Sequence, residues 1–185
     1  RLPDVAKTPE DATDLTDEEW AALQAQLDKA LDGFVAFRTQ EGAALEKMFN
    51  EKLDAIAALL AQVEPFEKGR VAKIKERLEQ SLAQLSADTQ AQIDRNRLEQ
   101  EMIYYLEKLD ITEEKVRLTN HIKYFRETMS ESGEGVGKKL GFIAQEMGRE
   151  INTLGSKSNQ SEMQIIVVKM KDLLEQIKEQ VLNVL

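Results

Sequence analysis

The stretch "SEMQIIVVKMKDLLEQIKEQVLNV", Ser161 to Val184, decides the fold. Met163, Val167, Met170, Leu174, Ile177, Val181 and Val184 recur in alternating steps of four and three. Such steps place apolar side chains along one stripe of an α-helix, whereas a strand would alternate every second residue. The seam runs for about three heptads and calls for a helical partner, either within the fold or across an oligomer. Ser161 and Gln164 read as a capping box, each side chain satisfying a free backbone amide at the helix start.

The same periodicity recurs upstream. A helix from Val136 to Leu154 carries Leu140, Ile143, Met147, Ile151 and Leu154 on one side, and Gly155 reads as a left-handed stop. "SESGEGVG", Ser130 to Gly137, breaks the chain before it, because three glycines so close together disfavour a helix. Asp110 and Glu113 read as a second capping box, opening a helix that ends near Met129. Thr16 and Glu19 read as a third, ahead of Trp20, Leu23, Leu27, Leu31, Phe34, Phe37, Leu45, Met48, Ile56, Leu59 and Val63. Ile74, Leu78, Leu82 and Leu85 form a further run that gives way at "SADTQ", and Ile93, Leu98, Met102, Tyr105, Leu106 and Leu109 form another. The expectation is an all-α protein. Residues 1–15 form a linker, 16–109 a long antiparallel, coiled-coil-like helical arm, and 110–185 a smaller helical C-terminal domain carrying the candidate site.

Composition agrees with long helices: three prolines and nine glycines in 185 residues, with few aromatics. The absence of cysteine excludes disulfides, thiolate metal sites and cysteine nucleophiles. No apolar run is long enough to span a bilayer. Residues 1–110 hold 14 Lys or Arg against 23 Asp or Glu, whereas residues 111–185 hold 11 of each. A polyanion is therefore repelled by the first part and tolerated by the second.

Chemistry concentrates in that second part. Glu146 and Glu150 lie one helical turn apart with Arg149 between them. With Ile143 at zero on a helical wheel, Glu150 falls about 20° and Glu146 about 60° from the apolar seam. Two like charges beside a buried stripe need neutralising, by Arg149 in an ion-pair network, by the lysines nearby, or by a divalent metal such as Mg²⁺ or Mn²⁺. Glu114, Arg117 and His121 share one face of the preceding helix. Arg117 can fork onto a phosphate, and His121, the single histidine, can move a proton or ligate a metal. Glu101 is a further acid or a plain solvated residue. "GSKS", Gly155 to Ser158, offers turn amides and Lys157 to an anion but lacks the Walker spacing. "GEGVGKK" follows a helix rather than a strand, so no nucleotide cofactor is expected. That loop either delivers Lys138 and Lys139 to a polyanion or is a plain hinge. Arg38 and Glu41 in "FRTQEG" read as close helix packing at Gly42.

"RLPDV", "FRTQEGAAL", "RLEQEMIYYLEKLDITEEKVRLTNHIKYF" and above all "GKKLGFIAQEMGREINTLGSKSNQSEM" resemble the YicC family of bacterial proteins. The resemblance runs almost end to end and matches the family's middle and C-terminal parts, with its N-terminal domain expected to lie outside this chain and to supply part of the RNA path. The ending "NVL" departs from the acidic last residue of the family. The resemblance implies a cytoplasmic, stress-associated, metal-dependent endoribonuclease that uses Mn²⁺ or Mg²⁺ and oligomerises, as a hexamer enclosing RNA. By motif, the family's charged positions fall on Glu101, Asp110, Glu113, Glu114, Arg117, His121, Glu146, Arg149, Glu150, Asn152 and Lys157, and its Arg…Glu-Gly pattern on Arg38 and Glu41. The expected assignment places metal on Glu146, Glu150 and Glu114, proton transfer on His121, and RNA phosphates on Arg117, Lys138, Lys139, Arg149 and Lys157. The rival is an oligomerising scaffold that binds RNA or a nuclease without cutting, with the heptad helix as its working surface.

Overall fold

A computed structural model describes residues 15–66, 95–131, 133–158 and 160–184, with 72, 76, 79, 80 and 84 between them. The protein is all-α: α1 (Asp17–Ala61), α2 (Arg95–Leu109), α3 (Thr112–Met129), α4 (Val136–Lys157) and α5 (Ser161–Val181) are its long helices among the described residues. The run Ile74, Leu78, Leu82 and Leu85, the "SADTQ" break and residues 1–14 of the expected linker lie outside them.

The capping box at the start of α1 forms as read. The Thr16 amide donates to Glu19 Oε2 at 3.0 Å, and the Glu19 amide donates to Thr16 Oγ1 at 3.3 Å. These bonds, the Thr16 amide's first, hold the Glu19 carboxyl below its usual value. The chain divides into two compact units, residues 1–44 and 45–185. In the first, Trp20, Leu23, Leu27, Leu31 and Phe34 are exposed. A Cβ added at Gly42 would meet nothing within 4 Å, so the close-packing reading there finds no neighbour among the described residues.

The second unit has one hydrophobic core. Phe49, Leu53, Ile56 and Leu60 of α1 enter it in steps of four, three and four, the spacing of one helix face. Phe49 meets Phe125 of α3 edge to face, ring centroids 5.5 Å apart. Helix α4 packs against both α3 and α5. Met163, Val167, Met170, Leu174, Ile177 and Val181 of the heptad seam are all buried in this core. Each such side chain contributes on the order of 2 kcal/mol. The partner of the seam is therefore within the fold, and the heptad stripe is not a free working surface.

Three local expectations are corrected. Asp110 Oδ1 accepts from the Thr112 amide at 3.0 Å and the Thr112 hydroxyl at 2.7 Å, while Glu113 turns to Arg117; the start of α3 is an Asx turn, not a capping box. Gln164 does not cap with Ser161. Its Nε2 donates to the Gly155 carbonyl at 2.7 Å and the Ser158 carbonyl at 2.6 Å, fastening the end of α4 to the start of α5. Gly155 is no left-handed stop, because α4 continues through it to Lys157. A Cβ there would lie 3.0 Å from Val167 Cγ1, so its small size lets α5 approach. The glycine break does form, with Gly133 at φ 145° and Gly135 at φ 83° between α3 and α4.

Candidate metal centre between α3 and α4

Contacts between α3 and α4 pair rising residue numbers with falling ones, so the helices run antiparallel. Lys157 Nζ bonds Glu114 Oε1 at 2.7 Å, Arg117 Nη1 lies 4.0 Å from Glu150 Oε1, and Lys139 Nζ sits 5.1 Å from the Tyr124 ring centroid. The apolar stripes of the two helices, with Leu118, Ile122 and Phe125 on one and Met147, Ile151 and Leu154 on the other, are buried in the shared core. Polar residues flanking those stripes are thereby brought to the edge of the interface.

There His121, Glu146 and Glu150 converge: one ligand atom from each lies within 4.8 Å of the other two. Glu150 is 5 % exposed, whereas Glu146 is exposed and His121 half-buried. The wheel offsets account for this contrast, since Glu150 lies closer to the seam. Neither nearby guanidinium forms a tight pair with the acids. Arg149 Nη1 reaches Glu146 Oε2 only at 3.9 Å, and Arg117, 4.0 Å from Glu150, bonds closely with Glu113. The Arg149 network expected as the alternative neutraliser thus consists of one loose, exposed contact.

The other expected residues fall elsewhere. Glu114 is buried, but its carboxylate takes Lys157 rather than joining the three-residue group. Lys157 also donates to the Asp110 carbonyl at 2.7 Å. Lys138 and Lys139 stand in the first turn of α4, not in the loop. Lys138 is exposed, while Lys139 bonds both Glu131 oxygens at 2.7 and 2.8 Å. That pairing and the Tyr124 hydroxyl hold its ammonium above the usual value. Glu101 and Asn152 are exposed, and Arg38 lies over the Phe34 ring at 5.8 Å. Two features escaped the sequence reading: His121 as a member of the acidic group, and Lys157 as the partner of Glu114. A signal for both is present, since Glu114 to His121 and Glu150 to Lys157 are the same seven-residue step.

A histidine nitrogen with two carboxylates is a donor set that a divalent ion can share. Metal–ligand bonds of about 2.1 Å put donor atoms roughly 3–4 Å apart, so the three side chains, whose atoms span up to 4.8 Å, would close in to share one ion.

The family model described as "Endoribonuclease YicC-like, C-terminal" matches residues 63–185, and "Endoribonuclease YicC-like, N-terminal region" matches residues 1–47. A Clostridioides difficile protein named "Probable endoribonuclease YicC" is 34% identical over 184 residues, covering 100% of this chain and 62% of that protein. A Haemophilus influenzae protein of the same name is 33% identical over 183 residues, covering 99% of this chain and 61% of that protein. The chain thus spans about three fifths of the length of these relatives.

Proposed function

The chain belongs to the YicC-like endoribonuclease family, and on that premise we propose that it carries a metal-dependent site for cleaving RNA phosphodiester bonds, with His121, Glu146 and Glu150 holding the ion. The observation that carries this reading is the state of Glu150. It is buried, it is within reach of the only imidazole, and its nearest cation among the described residues stands at 4.0 Å. By contrast, the buried carboxylate of Glu114 has an ammonium at 2.7 Å. A divalent ion between Glu150 and Glu146 would offset the repulsion of two neighbouring carboxylates that have no close cation among the described residues.

When bound, such an ion, Mn²⁺ or Mg²⁺, supplies Lewis acidity toward a phosphodiester oxygen. The chain's own residues do the rest. Glu150 stays fixed because it is packed in the interface, while exposed Glu146 can close toward it. His121 is a ligand in this reading, in place of the proton-transfer role its chemistry also allows. Arg117 and Arg149 stand beside Glu150 and Glu146 with exposed side chains. Their planar guanidinium groups can fork onto an RNA phosphate presented to the site. Lys138, exposed on the same helix, extends that contact. Assembly of several copies belongs to the same reading; the exposed stripe Trp20, Leu23, Leu27, Leu31 and Phe34 is the kind of apolar surface that an interface covers. The scaffold alternative loses its working surface, because the heptad seam is buried within the chain.

Cleavage of single-stranded RNA by the intact protein that contains this chain tests the proposal, with Mn²⁺, with EDTA, and with Glu150→Gln. The expected result is cutting in Mn²⁺, none in EDTA, and a loss of at least about a hundredfold in the variant, equivalent to roughly 2.7 kcal/mol of transition-state stabilisation. A folded Glu150→Gln protein that cuts as fast as the parent overturns it.

A further inference from the structure

We propose that Lys157 and Glu114 form a register lock, an ion pair inside the α3–α4 interface that sets the one axial alignment in which His121 meets Glu146 and Glu150. This rests on the metal reading of that site. Lys157 is then a positioning residue rather than a contact to RNA.

The pairing is built into the fold at both ends. Lys157 Nζ donates to Glu114 Oε1 and to the Asp110 carbonyl, each at 2.7 Å, joining the last turn of α4 to the first turn of α3 and to the chain two residues before it. Glu114 is 5 % exposed, and its second oxygen, Oε2, is buried without a hydrogen-bond partner among the described residues. The carboxylate therefore depends on Lys157.

The spacing links this pair to the site. His121 follows Glu114 by seven residues, and Lys157 follows Glu150 by seven. Seven residues are about two turns, or 10.5 Å of helix. On antiparallel helices the ion pair therefore repeats the His121–Glu150 meeting two turns along the same two faces. A slip of one helix by a single turn moves its residues about 5.4 Å. That exceeds the 4.8 Å that spans the donor group, so one turn of slip dismantles it. Apolar stripes repeat each turn and discriminate weakly among such registers. A buried ion pair does not repeat, because displacing Lys157 strands the Glu114 charge in the core.

The test is Mn²⁺ titration of the whole chain by calorimetry, with circular dichroism to check folding. Lys157→Met should weaken Mn²⁺ binding tenfold or more, and Lys157→Arg should keep it within threefold of the parent. Arg126→Met is the control. It breaks the 2.5 Å pair with Asp54 that ties α3 to α1, and should leave Mn²⁺ affinity within twofold. If Lys157→Met fails to fold, Glu114→Gln with Lys157→Met removes the stranded charge, and the same loss of affinity is expected. Because the chain lacks cysteine, spin labels at Lys123→Cys and Gln145→Cys report the alignment without metal. Their separation should change in Lys157→Met and not in Lys157→Arg. Unaltered Mn²⁺ affinity in folded Lys157→Met, an equal loss in Arg126→Met, or unaltered label separation overturns the lock. Absence of Mn²⁺ binding by the parent instead overturns the site reading, and the label separation alone then decides the lock.

Discussion

Glu150 and Glu114 show how neighbours decide what a buried acid does. Both are glutamates buried to the same degree on facing helices, yet one meets an ammonium and the other meets a histidine and a second carboxylate. The helical wheel made the burial of Glu150 legible in the sequence, since the angle from the seam depends only on spacing. It could not reveal the partner of either acid, because that depends on the register between two helices. Asp110 gives a prediction at this scale. Hydrogen bonds from the Thr112 hydroxyl and then its amide hold the Asp110 carboxyl below its ordinary value of 3.8. A depressed folded value stabilises the protein above the unfolded pKa, and that contribution is lost as pH falls through the folded value. Thr112→Val removes the hydroxyl donor, so an NMR titration should show the Asp110 pKa moving upward and acid unfolding beginning at higher pH. Asp110→Ala should cost about 1 kcal/mol near neutral pH by denaturant unfolding; no change in either variant would contradict the Asx turn.

At the scale of helices, the α4 and α5 stripes were readable because apolar residues recurred at helical spacing, and the glycine break fell between Met129 and Val136 as expected. What the spacing could not supply was the ending of each helix. Gly155 looked like a stop because glycine favours left-handed backbone, but its use here is the close approach of Val167. Gly137 makes the same point more strongly. A Cβ there would stand 2.3 Å from the Val184 carbonyl oxygen, so the start of α4 lies against the C-terminal end of the chain. Gly137→Ala should therefore destabilise the protein by about 1–3 kcal/mol, the usual range for overpacking. Gly133, at φ 145° but with nothing within 4 Å, would suffer from backbone strain instead. Denaturant unfolding of Gly137→Ala with unchanged midpoint would contradict the packing at that end.

For the whole molecule, residues 45–185 share one core, to which α1 contributes Phe49 and Leu53 and α5 contributes Met170 and Ile177. The periodicity of α1 predicted a helix over that stretch but gave no sign of where along it burial begins, because Leu27 and Ile56 stand alike in the expected run. Leu27 is exposed, whereas Ile56 is buried in the core that residues of α3, α4 and α5 also enter. No helix among the described residues is long and apolar enough to cross a membrane. The site built on this core is where the account stands or falls. Pulsed EPR of Mn²⁺ added to the chain tests it most directly, since a single histidine makes any imidazole nitrogen coupling assignable. The account predicts a ¹⁴N coupling that disappears in His121→Gln, with weaker Mn²⁺ binding in Glu150→Gln. Bound Mn²⁺ without nitrogen coupling, and indifferent to both substitutions, would contradict it.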